Sequence, residues 1–148
     1  MITVKQLLKS KGSSEVWSVV PDASVYDALK LMGEKNVGAL PVVENGKLIG
    51  VISERDYARK VVLKGKSSLE TPVSEIMTPR VFSVQLGQKM TEVMALMSEK
   101  RIRHIPVMNG DQLVGIISIG DVLKEIISAQ ETYIKDLENY IDGRGYGQ

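Results

Sequence analysis

With 148 residues and 43% apolar content, the chain can form one compact domain or two small ones sharing a core. A formal charge of +1 argues against a nucleic-acid surface or an acidic tail, and the lack of cysteine excludes a disulfide framework and a thiolate metal site. The lysine-bearing start, Met1 to Ser14, has no apolar core of the secretion-signal kind, and no run of about 18 apolar residues exists to span a bilayer; a soluble, cytoplasmic protein is expected.

A repeat organises the elements. Val16–Tyr57 lies on Val81–Val122 without a gap at an offset of 65, and 14 of the 42 positions are identical. Pro41/Pro106, Val42/Val107, Gly50/Gly115, Ser53/Ser118 and Asp56/Asp121 are among them. Upstream the register shifts by four, so that Val4–Leu8 resembles Val73–Met77, and the polar loop Lys11–Ser14 takes up the slack. The chain is one unit written twice. We divide it into a first repeat (1–63), a polar, flexible linker Lys64–Thr71, a second repeat (72–128) and a C-terminal helical extension and tail (129–148).

Each unit opens with a short apolar helix, Val4–Leu8 or Val73–Met77, the second stopped by Thr78-Pro79. A short extended piece follows, Trp17–Val20 or Val81–Val84. Next comes a helix whose apolar face is Val25, Ala28, Leu29 and Met32, with Ser24 as N-cap, or Met90, Val93, Met94 and Met97. Asn45-Gly46 between two apolar runs predicts a hairpin, and the second unit repeats it around Asn109-Gly110. Closing helices start near Asp56 and Asp121. The second runs to about Ile141, where Gly143 ends it, and carries Leu123, Ile126, Ile127, Tyr133, Ile134, Leu137, Tyr140 and Ile141 as one stripe. One small module cannot easily bury so long a stripe, so a partner chain is expected against it; folding back on its own module is the alternative.

The chemistry gathers at two strand-to-helix junctions, Gly50-Val51-Ile52-Ser53-Glu54-Arg55-Asp56 and Gly115-Ile116-Ile117-Ser118-Ile119-Gly120-Asp121. A carboxylate there can accept two hydroxyl donors, or merely cap a helix. A serine hydroxyl beside a helix start can donate to a phosphate, or form a capping box with the acid three residues on. Arg103 has the planar fork that suits phosphate, or is a solvated charge; His104, the only histidine, stands next to it.

The duplicated ending of Gly, two apolar residues, Ser, two residues and Asp resembles a tandem pair of cystathionine-β-synthase (CBS) domains. Met77-Thr78-Pro79 looks like the usual opening of such a domain, and Arg103-His104-Ile105-Pro106-Val107 like its basic pair and apolar Pro-Val segment. The resemblance covers about Val4 to Ile127. It implies an α+β fold of two β-α-β-β-α units related by a pseudo-two-fold, followed here by a long C-terminal helix. It also implies clefts between the units for AMP, ADP, ATP, NAD or S-adenosylmethionine, frequent dimerisation, and a regulatory role without chemistry of its own.

Carried over position by position, Asp121 and Asp56 would take the ribose. Ser118, Arg103, His104 and Ser53 would take phosphates, with Arg55 and Arg101 supplementing them. Val81, Phe82, Ser83, Ile105, Pro106, Val107 and Ile116 would wall the adenine, although each is also explained as core, the better reading for any single one of them. The first repeat has Gly38 and Ala39 where the second has Arg103 and His104, so unequal clefts are expected, the better phosphate site combining Asp121 with Arg103 and His104.

Enzyme signatures are missing from the sequence. Neither junction serine sits in a nucleophile elbow, there is no phosphate-binding Walker loop or dinucleotide fingerprint, and scattered acids form no metal-ligand pattern. No catalytic residue, metal or required cofactor is therefore assigned. The expected partners are an adenine nucleotide, a second copy through the C-terminal helix, and an effector protein that the sequence does not identify. A structural dimerisation module with empty clefts is the alternative, as is a nucleic-acid binder using Arg101, Arg103 and His104.

Overall fold

A computed structural model describes residues 2–11, 16–79 and 81–141. The expected loop at Gly12–Ser14 and the stop at Gly143 lie outside them. The elements are helices α1 (Val4–Ser10) and α2 (Val25–Lys35), strands β1 (Ala39–Glu44) and β2 (Lys47–Ser53), helices α3 (Glu54–Tyr57) and α4 (Val73–Ile76), strand β3 (Val84–Gln85), helix α5 (Met90–Lys100), strands β4 (His104–Asn109) and β5 (Gln112–Ser118), and helix α6 (Ile119–Ile141). A π-helical turn, Ala58–Val62, continues α3.

Each repeat is built on an antiparallel hairpin, β1–β2 or β4–β5, with a bulge at Val42/Val43 and at Val107/Met108. Asn45 and Gly46 both take positive φ, as a type I′ turn requires. The second hairpin turns at Gly110-Asp111, one residue later than expected, because Asn109 pairs with Gln112 as the last strand residue. The extended pieces are mostly irregular: β3 pairs in parallel with β4, whereas the first repeat keeps one bridge, Val19 to Val42. Ser24 caps α2, its hydroxyl accepting from the Asp27 amide at 3.0 Å. On α5, Val93 and Met97 are buried, but Met94 sits on the flank of that face and is exposed.

The two cores do not follow the two halves of the sequence. Val73 and Ile76 of α4 complete the first core, with Val25, Ala28, Met32, Leu40, Val42, Ile52 and Val61. Val4 and Leu7 of α1 complete the second, with Val84, Val93, Met97, Ile105, Val107, Ile117 and Val122. Each leading helix thus docks on the other repeat. Backbone bonds fix both dockings: Val4 N–H to Gln88 O (2.8 Å) and Met90 N–H to Ile2 O (3.0 Å) on one side, Val73 N–H to Ala23 O (2.8 Å) and Val25 N–H to Thr71 O (2.9 Å) on the other. The linker is tied down as well, since Tyr26 N–H donates to Ser68 O and Thr71 is buried.

The repeated junction glycines are explained by this exchange. A Cβ on Gly50 would stand 2.7 Å from Met77 Sδ and 3.0 Å from Thr78 O, just past the end of α4. A Cβ on Gly115 would stand 2.8 Å from Leu8 Cδ2 of α1. Along α6 the apolar stripe is left open: Ile119, Leu123, Ile127, Tyr133, Ile134, Leu137, Tyr140 and Ile141 are all exposed. No helix among the described residues is long and apolar enough to cross a membrane.

Candidate functional site

The junction serines end their strands and cap the following helices. Ser53 Oγ accepts from the Asp56 amide at 3.2 Å, while Asp56 Oδ2 accepts from the Ser53 amide at 2.9 Å and from Ser53 Oγ at 3.0 Å. At the second junction, Asp121 Oδ2 accepts from the Ser118 amide at 2.8 Å and Ser118 Oγ from the Asp121 amide at 3.1 Å. These are reciprocal capping boxes. The helices therefore begin at Glu54 and Ile119, and the aspartates occupy the third helical position instead of the cap. Each carboxylate also meets a lysine: Asp56 Oδ1 meets Lys60 Nζ at 3.1 Å, and Asp121 Oδ2 meets Lys11 Nζ at 2.9 Å. Burial by itself would raise the Asp121 carboxyl, but the Ser118 amide and Lys11 outweigh it and hold the group below the ordinary carboxylate value.

Two clefts lie between the repeats. The first, of about 670 Å³, brings Ser53, Arg55, Asp56, Arg59 and Lys60 from the first repeat against Arg101, Arg103 and His104 from the second. Val51, Thr78, Val81, Phe82, Ile102 and Pro106 form its apolar side, with Gly38 and Glu54 at its edge. Lys100 Nζ lies 5.0 Å from the centre of the Phe82 ring. The second cleft, of about 450 Å³, is lined mainly by apolar groups, among them Leu8, Trp17, Val37, Leu40, Val114 and Ile116, with Lys11, Glu34 and Lys35 as its charges. Lys35 Nζ lies 4.1 Å over Trp17, mirroring Lys100 over Phe82.

This placement corrects the expected pairing. Arg103 and His104 share a cleft with Asp56, and Asp121 and Ser118 line neither cleft. The reason is the pseudo-two-fold: the start of β4 faces the first repeat's junction across the groove. Gly38 matters here, because a Cβ on it would lie 3.0 Å from Glu54 Oε1 and 3.4 Å from His104 Nε2. His104 is half-buried; burial lowers its pKa, the charge of Asp121 opposes that, and Lys11 and Arg103 add to the lowering. Ile105 and Val107 are fully buried in the second core and line neither cleft, unlike the expectation for them. Val81, Phe82 and Pro106 remain on the first cleft, Ile116 moves to the second, and Ser83 is exposed outside both.

Arg59, Lys60 and Val51 were not singled out from sequence. Lys60 had a signal, standing four residues after Asp56 on one helix face. Arg59 stands in the same relation to Arg55. Lys11 had none, since its partner is 110 positions away.

The decisive match is a family model described as CBS domain, which fits residues 2–63 and again 73–128. The chain belongs to the CBS-domain family. As a CBS pair it is 41% identical over 153 aligned residues to the mitochondrial CBS domain-containing protein CBSX3 of Arabidopsis thaliana, covering 97% of this chain and 73% of that one. It is 35% identical to the CBS domain-containing protein YhcV of Bacillus subtilis, over 78% of this chain and 81% of the relative. Among solved structures, a CBS-domain protein from Burkholderia ambifaria assigned to signal transduction matches with a TM-score of 0.83 and 49% identity, over 87% of this chain and 96% of that one. The α+β architecture of two tandem CBS repeats with a long C-terminal helix is therefore the fold.

Proposed function

We propose that the CBS pair binds an adenine nucleotide in the first cleft, AMP foremost, with ADP, ATP or NAD as further ligands, and reports occupancy as a change of shape without chemistry of its own. The observation that supports this is the convergence, in one groove, of a carboxylate from one repeat with a basic cluster from the other. The Asp56 carboxylate offers acceptors for ribose hydroxyls once Lys60 swings toward the phosphates. Arg103, Arg101 and Arg55, with Ser53 and His104, form a set suited to phosphate oxygens. Val81, Phe82 and Pro106 offer apolar surface to the adenine. The exposed stripe on α6 supports a homodimer formed through that helix, and the protein acts on an effector in the cytoplasm.

Calorimetric titration with AMP, ATP, NAD and S-adenosylmethionine tests this. Binding of a phosphate-bearing nucleotide is expected, with Asp56→Ala weakening it more than Asp121→Ala, the reverse of the order expected from sequence. No binding of any of the four at millimolar concentration would replace the sensor by a purely structural dimerisation module.

A further inference from the structure

The second cleft carries an occupant supplied by the chain itself. Lys11 Nζ donates to Asp121 Oδ2 at 2.9 Å and to Ile116 O at 2.7 Å. Its backbone is fixed as the C-cap of α1, the amide donating to Leu8 O and Lys9 O. The helix is in turn anchored by Val4 and Leu7 in the second core and by Leu8 against Gly115. Lys11 therefore reaches the cleft from a seated element.

The first cleft differs in degree. There Lys60 pairs with Asp56 from the same helix, four residues on, and also donates to Ile76 O at 3.0 Å; its side chain is 45% exposed, against 28% for Lys11. With Lys60 in place, Ser53 and Asp56 still line the groove beside it. At the second cleft, Lys11 lines the groove in place of Ser118 and Asp121. An ammonium brings a full charge and up to three donors to a carboxylate, whereas a ribose brings two neutral hydroxyls, so the lysine holds the site against a sugar.

We infer that Lys11 is an autoinhibitory latch on the second cleft, which keeps Asp121 from any nucleotide and limits each chain to one bound nucleotide. This rests on the adenine-nucleotide reading of the first cleft. It makes the junction of α1 with β5 the control point for a second site, since whatever draws Lys11 off Asp121 frees the carboxylate.

Trp17, the only tryptophan, lines the second cleft and not the first, so its fluorescence reports that cleft alone. The full chain is titrated with AMP and with adenosine, following Trp17 emission and, in parallel, calorimetric stoichiometry. The wild type is expected to bind one AMP with no change at Trp17. Lys11→Met should add a Trp17 response, with second-cleft affinity raised at least about tenfold, the scale of one charge-assisted hydrogen bond. Lys11→Arg should restore the silent state. Asp121→Asn, which releases Lys11 but removes the anionic acceptor, should stay silent. If Lys11→Met proves unstable, Lys11→Gln serves in its place. A wild type that binds two nucleotides with a Trp17 response overturns the latch. So does a folded Lys11→Met that binds one AMP with Trp17 unmoved, and in both cases the first-cleft reading survives. No binding to either protein overturns the sensor reading and the latch together.

Discussion

Replacing Gly50 by alanine separates a packing role for the junction glycine from a ligand role. The added methyl would meet Met77 Sδ at 2.7 Å and Thr78 O at 3.0 Å. The methionine can shift its thioether, but the carbonyl is held: the Thr78 amide donates to Val51 O at 2.9 Å and Thr78 O accepts from the Val51 amide at 3.1 Å. Overpacking of this kind costs about 1–3 kcal/mol. For a chain of this size each kcal/mol lowers Tm by roughly 2–4 °C, so Gly50→Ala should lose about 2–12 °C. At Gly115 the obstacles are side-chain atoms of Leu8, at 2.8 and 3.3 Å, which can repack, so Gly115→Ala should lose less. Gly33, inside α2 with nothing within 4 Å of an added Cβ, should gain roughly 0.5–1 kcal/mol as alanine. The expected order of Tm is Gly33→Ala, wild type, Gly115→Ala, Gly50→Ala, read by circular dichroism and checked by urea unfolding with unchanged m. Gly50→Ala at wild-type stability, or no worse than Gly115→Ala, would refute the docking of α4 as the reason for this glycine.

Three further outcomes are expected. Arg103→Ala should weaken AMP by about 10- to 100-fold, the range of a hydrogen bond to a charged group, while leaving adenosine within about twofold; equal losses for both in calorimetry would remove Arg103 from the phosphate end. The folded pKa of His104 lies below its ordinary value, so the unfolded state binds the proton first and stability falls as pH drops below about 6.5. His104→Gln should flatten the urea midpoint between pH 7 and 5, and an unchanged slope there would show that other groups carry it. Ile134→Glu, in the exposed stripe of α6, should give a monomer in sedimentation equilibrium with an unchanged fold; a dimer of wild-type strength would move the interface elsewhere.

What could be read from sequence was local. Ser24, Ser53 and Ser118 announce helix starts because a cap and its partner are three residues apart, and Asn45-Gly46 announces a turn because two adjacent residues need positive φ. The turn at Gly110-Asp111 was misplaced by one residue because the Asn-Gly pair points one position early, and strand register decides the turn. The apolar stripes of α1 and α4 say that a face is buried, not which repeat buries it, so the exchange of leading helices was out of reach. For the same reason spacing does not show which aspartate shares a cleft with Arg103 and His104: facing residues across a pseudo-two-fold share no spacing. In β4, Ile105, Pro106 and Val107 are all buried, and only the fold shows that Pro106 alone of the three meets the groove.

The inequality of the clefts follows from where the duplicated unit diverged. Glycine at position 38 leaves space that Glu54 and the His104 ring approach, so the first repeat supplies a carboxylate and an open edge, and both repeats supply cations, Arg55, Arg59 and Lys60 from the first and Arg101 and Arg103 from the second. By the pseudo-symmetry, the opposite cleft receives Ala39 in place of His104 and must find its charge elsewhere; Lys11 provides it, but spends it on Asp121. The cations of the first cleft are also close to the long helix: Arg103 O accepts from the Ile119 amide at 2.8 Å, at the first residue of α6. A phosphate drawing on Arg103 therefore acts one hydrogen bond from the element that carries the exposed apolar stripe, whereas a ligand in the second cleft would first have to break the Lys11–Asp121 pair beside the same helix start. Both clefts bear on α6, one directly and one through a lysine. A chain with this arrangement can couple nucleotide occupancy to the packing of its C-terminal helix without any contact between ligand and partner.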